Sequence, residues 1–174
     1  MTKMLSLLTG SIAGLLYAAC LFISWKGGIN ALAGFLSFYT WAPIIVLIIG
    51  GGAWWFISRN KLSPEFSLVL QYALLAYLVF ELWYAASNFS LFGWLDKELN
   101  NQLVQHLLDS TKSRLQNGGA GKDQLRTIEE LAESGRSPLT IRQTAIGLGQ
   151  NLLMDFLKCL FIATITKQKF TRKE

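Results

Sequence analysis

The sequence predicts an all-α integral membrane protein: four transmembrane helices with a helical hairpin inserted between helices three and four. Three observations carry this expectation. Between Lys26 and Arg59 the chain runs for 32 residues without a charged side chain, where about 20 apolar residues suffice for a spanning helix. A second charge-free run covers Met4–Trp25, and a third, Phe66–Leu95, is interrupted only by Glu81. The composition agrees, with 52% of the 174 residues hydrophobic and 16% charged, against roughly 25% charged in a soluble domain. Apolar surface on that scale requires lipid or a partner to cover it.

The first region, residues 1–95, reads as three spans at about 4–25, 40–58 and 66–88. In helix one, Lys3 followed by Leu5–Tyr17 has the layout of a signal peptide, and Tyr17-Ala18-Ala19-Cys20 resembles a lipoprotein cleavage site. However, Tyr17 stands where a small aliphatic residue is expected, and Leu21-Phe22-Ile23 carries the apolar run onward, so the segment is expected to be retained as a helix. Gly10 and Gly14 form a small-xxx-small pair that lets another backbone approach closely. Lys26-Gly27-Gly28 is a turn. Proline is tolerated in the first turn of a helix, so Pro43 predicts that helix two starts near Thr40. Residues 29–39 are then a lead-in at the interface or the upper part of a kinked helix. Gly50, Gly51 and Gly52 fall inside helix two, and two readings stay open: tight packing on a neighbour, or a break that exposes backbone to a substrate. Trp54 and Trp55 beside Arg59, and Trp83, Tyr84 and Trp94 at the far end of helix three, suit aromatic belts.

The second region, 96–137, is polar. Leu95, Leu99, Leu103, Leu107 and Leu108 recur at helical spacing, predicting an amphipathic helix over 95–116. Asn117 to Gly121 stops it, and Leu125, Ile128, Leu131 and Ala132 predict a second, shorter helix. From Asp96 to Arg142 seven basic residues balance seven acidic ones. The net charge of +5 therefore sits at helix flanks and the tail and is no nucleic-acid signature. Ser137-Pro138 predicts the start of the last helix. Its spanning part is about 144–166, followed by Lys167, Lys169, Arg172 and Lys173.

Four spans place both termini on one side. Seven cations close to helix ends lie there, against eight on the other side, seven of which are spread through the hairpin. Because the positive-inside rule weighs short flanks most, the termini are expected in the cytoplasm and the hairpin outside. The location is then the cell inner membrane, multi-pass. The tail cations would face anionic lipid, worth about 1 kcal/mol per charge near the surface.

The last helix is polar for a span. Thr144, Gly147, Asn151, Asp155 and Lys158 follow one another in steps of three or four and share a face. A charged residue at a helix centre costs about 2.5–3.5 kcal/mol on insertion scales. Asp155 and Lys158 are spaced to pair, and Glu81 in the antiparallel helix three is placed to join them. A Glu81, Asn151, Asp155 and Lys158 cluster serves three readings: structural glue, a proton or ion relay, or contact with a partner subunit.

Catalytic constellations are absent. His106 is the only histidine, so no two-histidine zinc motif exists and no metal is expected. Gly118-Gly119-Ala120-Gly121-Lys122 lacks the spacing and the following Ser/Thr of a phosphate loop. Cys20 and Cys159 fall at different depths of the expected topology, so no disulfide is expected.

The layout of three apolar helices, the basic turn Arg59-Asn60-Lys61, a helical polar insert, and Ser137-Pro138 leading into a helix that ends in lysines resembles a family of small bacterial inner-membrane proteins designated only as a domain of unknown function. The resemblance implies a location and no chemistry. The expected role is a non-catalytic scaffold or accessory subunit that makes contacts through the hairpin and the polar face of helix four. The alternative is a small oligomeric proton- or ion-coupled transporter using Glu81, Asp155 and Lys158. The expected partners are the lipid bilayer and either another membrane protein or further copies of the chain, with no nucleic acid and no cofactor.

Overall fold

The computed structural model describes residues 2–60, 65–117, 130 and 140–171. Its regular elements are all helical: α1 (Thr2–Lys26), α2 (Ile29–Trp41), α3 (Ile44–Asn60), α4 (Phe66–Asn88), a π-helical continuation of α4 over Phe89–Leu95, α5 (Leu99–Asn117) and α6 (Ile141–Thr171). Lys3–Lys26, Phe66–Leu95 and Ile141–Gln168 are each long and apolar enough to cross a membrane. The pair α2 and α3 meets the same criterion only when taken together, across a bend of 51°.

The bundle is built on the close approach of α1 and α4. Any Cβ at Gly10 would collide with the Ala76 carbonyl oxygen, and any at Gly14 with the Trp83 side chain. Only glycine allows the two backbones this close. Two polar contacts fix the register along the seam. The Thr9 and Tyr72 hydroxyls lie 2.6 Å apart, and Asn88 Nδ2 donates to the Tyr17 hydroxyl at 3.0 Å. Partners on both helices advance in the same direction, so α1 and α4 run parallel. α6 runs antiparallel to α4, with Asn151 opposite Glu81 and Lys158 over the Tyr77 ring. Tyr17 is ringed by Phe35, Tyr39, Phe80 and Tyr84 at centroid distances of 4.8–6.2 Å, which anchors α2 on the α1–α4 seam.

The glycine triplet does not act as one unit. Gly52 packs tightly, since a Cβ there would lie 2.9 Å from the Tyr72 hydroxyl and 3.0 Å from Thr9. Gly50 makes ordinary contact with Ile162, and Gly51 faces open space.

Four helix limits differ from expectation, each for a local reason. Residues 29–41 form a helix of their own, and the chain breaks at Ala42-Pro43 instead of starting a helix at Thr40. Pro43 has no N–H for the Tyr39 carbonyl and pushes Ala42 into extended backbone (φ −87°, ψ 124°). α4 does not stop at Asn88. Ser87 Oγ donates to the Trp83 carbonyl (2.7 Å) and Asn88 Nδ2 to the Tyr84 carbonyl (2.8 Å). These bonds compete in the last α-turn, and the helical path slips to wider π spacing, closed by Asp96 N–H on Leu91 O at 2.9 Å. Leu95 belongs to that continuation, so the amphipathic helix begins at Leu99 and not at 95. Leu99, Leu103 and Leu108 are buried, while Leu107 is exposed. Thr140 is not helical and the last helix starts at Ile141, where Thr140 and Gln143 form a reciprocal capping box: Gln143 N–H donates to Thr140 Oγ1 (3.2 Å) and Thr140 N–H to Gln143 Oε1 (3.0 Å).

Ser137-Pro138 itself, the loop Gly118–Gly121, the second hairpin helix expected over 125–132, and the tail cations Arg172 and Lys173 lie outside the described residues. Lys167 is exposed on the last turns of α6.

The glycine seam gives a direct test. Gly14→Val forces α1 off Trp83 and is expected to lower stability in detergent by about 1–3 kcal/mol, the usual scale of overpacking. Gly51→Ala, which meets nothing, is expected to leave the melting temperature unchanged or slightly higher. Equal losses from both would show that the seam is not where packing is tightest.

Candidate functional site

Three features converge near the middle of the long helices. Glu81 lies close to the midpoint of Phe66–Leu95, Asp155 close to that of Ile141–Gln168, and the Ala42-Pro43 break close to that of the bent pair. α4 contributes Glu81, and successive turns of α6 contribute Asn151, Asp155 and Lys158.

Glu81 and Asp155 are almost fully buried, at 4% and 2% exposure. Glu81 Oε2 accepts from Asn151 Nδ2 at 3.0 Å. Asp155 Oδ1 receives Lys158 Nζ at 2.7 Å. Lys158 keeps 46% of its side chain accessible and lies 5.7 Å from the Tyr77 ring centroid. Asp155 Oδ2 and the Tyr77 hydroxyl are buried without a hydrogen-bond partner. Buried polar atoms are nearly always paired, so an unpaired carboxylate oxygen calls for an explanation.

These charges do not sit in a sealed core. A cavity of about 370 Å³ is walled by Glu81, Asn151, Asp155 and Lys158 on one side and by Tyr39, Thr40, Trp41, Ala42 and Pro43 of the break on the other, with Tyr84 between. At the break the helix ladder is interrupted. Pro43 offers the Tyr39 carbonyl nothing, and Ile44 N–H turns to the Ala42 carbonyl at 2.8 Å instead of to Thr40. The carbonyl end of α2, the negative end of its dipole, thus borders the same space as the carboxylates. A second cavity of about 380 Å³ shares Tyr84 and Asn151 with the first and continues past Asn88, Asn100, Gln143, Thr144 and Gly147. The polar face of α6 therefore lines two adjoining spaces that lead toward the α5 end of the bundle.

The four residues singled out from the sequence come together, while Gly10, Gly14, Gly50, Gly51, Gly52 and Lys167 do not line this cavity. Reading the sequence alone missed Tyr39, Thr40, Trp41 and Tyr84. The available signal was Pro43, which follows a long apolar run and marks a break as readily as a start. Among the described residues no group of three or more His, Cys, Asp or Glu side chains is placed to hold a metal ion. Cys20 and Cys159 are free thiols.

An all-helical chain with three to four apolar helices of spanning length is compatible with a multi-pass membrane protein. The chain belongs to the family described as Protein of unknown function (DUF4199), whose family model matches residues 8–168. No curated protein and no solved structure matches the chain. The family description assigns no chemistry, so a functional reading must come from the geometry of the site.

The pair on α6 is testable by a double-mutant cycle. Lys158→Met leaves a buried carboxylate without its ammonium and is expected to cost about 3 kcal/mol, the scale of a broken buried pair. Asp155→Asn is expected to cost less, because Lys158 is half-exposed and lines the open cavity, whereas Asp155 is buried. The double variant should recover most of the loss, read as detergent melting temperature. Additive losses would mean that the two groups are not coupled.

Proposed function

We propose that this protein is a small multi-pass membrane carrier that binds a proton or small cation at mid-membrane depth. The site lies between the bent helix pair and the acidic faces of α4 and α6. One observation carries the reading: two buried carboxylates stand at the wall of an open cavity, with an ammonium on Asp155 and only a neutral amide donor, Asn151, on Glu81. Fully ionised, Glu81, Asp155 and Lys158 sum to one negative charge. A buried uncompensated charge in an apolar bundle is costly. A bound proton or cation removes the cost, and its release restores it, which is the differential stability a carrier needs.

Two further features support the reading. A discontinuous helix at mid-depth places backbone carbonyls beside the carboxylates, as in carriers built on broken helices. The second cavity adjoins the site on the α5 side, with Asn88, Asn100, Gln143 and Thr144 in its wall. In this proposal α2 and α3 together form the second of four spans, both termini face the cytoplasm, and the membrane is the bacterial inner membrane. The accessory-subunit reading ranks second. It depends on a docking hairpin, and much of that hairpin lies outside the described residues.

Reconstituted vesicles with an internal pH dye and an imposed potassium diffusion potential test the reading. Wild type is expected to move protons or the added cation, and Glu81→Gln to reduce the rate at least tenfold while keeping its bond to Asn151. Absence of flux, together with stoichiometric co-purification of another membrane protein in mild detergent, would put the accessory-subunit reading first. For orientation, alkaline phosphatase fused at Asn117 is expected to be active, and fused after Glu174 inactive. The reverse result would invert the topology.

A further inference from the structure

We infer that the mid-bundle cavity takes a small monovalent organic ammonium, with aromatic side chains and the carboxylates Glu81 and Asp155 as its receptor. This inference rests on the cation-site reading above and narrows its ligand.

Size comes first. The cavity holds about 370 Å³, within the roughly 300–1,000 Å³ of small-molecule pockets. A water occupies about 30 Å³. A proton or a bare alkali ion would leave nearly all of the space to water, whereas an alkylammonium occupies more of it with its own methyl groups.

The wall chemistry comes second. Tyr39, Trp41 and Tyr84 line the same space as Glu81 and Asp155. Tyr39 and Tyr84 stack with centroids 6.0 Å apart, and each packs on Tyr17 at 4.8 Å, which holds both rings in place in the cavity wall. Aromatic faces attract alkylammonium groups through the ring quadrupole while accepting their methyls as apolar surface. A strongly hydrated inorganic cation gains little from such walls.

Charge comes third. With Lys158 in place the cluster lacks one positive charge, so a monovalent ligand neutralises it and a divalent one overshoots. Asp155 lines this cavity, and its Oδ2 is buried without a hydrogen-bond partner, so the carboxylate is not fully compensated by Lys158 alone. The protein already shows the contact in miniature: the Lys158 ammonium sits 2.7 Å from the other oxygen of the same carboxylate and 5.7 Å from an aromatic ring. Lys158 is here a positioning residue, setting the valence of the ligand. The mid-depth position of the carboxylates keeps the site away from lipid headgroups, so the occupant is a free solute.

Radiolabelled tetramethylammonium binding to the purified full chain in phosphatidylglycerol nanodiscs is the test. Saturable binding is expected, competed by trimethylamine and unaffected by tenfold excess sodium. Glu81→Gln is expected to weaken it at least tenfold, and Glu81→Asp to retain it. Trp41→Ala, on an exposed side chain with no packing role, is expected to weaken it about threefold. If sodium or protons bind in a Glu81-dependent way and the ammonium does not, the inference falls while the cation-carrier reading stands. If nothing binds, both fall. Binding lost in phosphatidylcholine nanodiscs would assign the site to a lipid headgroup and overturn the free-solute assignment. Equal affinity in Glu81→Gln and wild type would overturn the receptor itself.

Discussion

The contact of α4 with α6 through Glu81, Asn151, Asp155 and Lys158 constrains everything placed around it. Each carboxylate has a designated donor, Asn151 for Glu81 and Lys158 for Asp155. The Lys158–Asp155 pair lies within α6, so the register of α6 on α4 is fixed at this level by the bond that crosses between them, from Asn151 to Glu81. A slip of one turn would leave a carboxylate buried against carbon. Such a penalty is larger than that of most apolar repacking, so the polar contacts select the register and the surrounding leucines and phenylalanines fill in behind it.

The parallel seam of α1 and α4 solves a different problem. Apolar helices in an apolar surrounding gain little from hydrophobic burial, and their association relies on close backbone approach and a few polar contacts. Gly10, Gly14 and Gly52 permit the approach. The Thr9–Tyr72 and Tyr17–Asn88 contacts each add about 0.6 kcal/mol, the average for such interhelical bonds. The seam is closely packed and its cross-helix contacts are uncharged. It is the frame against which the charged face of α4 is presented.

The bent pair α2 and α3 joins the two. Its aromatic residues Phe35 and Tyr39 hold onto Tyr17 of the seam, while its break opens toward α6. A straight helix here would close its own ladder and press side chains against Asp155. The break instead leaves a cavity and turns a carbonyl end toward it. The same proline that ends α2 therefore borders the cavity whose wall holds the carboxylates.

The sequence by itself determined the helical class, the apolar stretches and the pattern on the last helix that puts Asn151, Asp155 and Lys158 on one face. These are matters of composition and of the 3.6-residue period, and both are local. It also flagged Glu81, because a single charge in a long apolar run is conspicuous without any partner. It did not determine the limits set by competition for backbone carbonyls: the break at Ala42-Pro43, the π-turns beyond Asn88 and the start at Thr140. There, side-chain hydrogen bonds or a missing N–H decide between alternatives that look alike in a hydropathy pattern. Only the tertiary structure decided that Gly52 packs and Gly51 does not, since identical residues differ only in what stands opposite them. It alone brought Tyr39, Trp41 and Tyr84 to Glu81 and Asp155. That meeting depends on how far α2 bends from α3, an angle set against α1, α4, α5 and α6 and written in no single stretch of the chain.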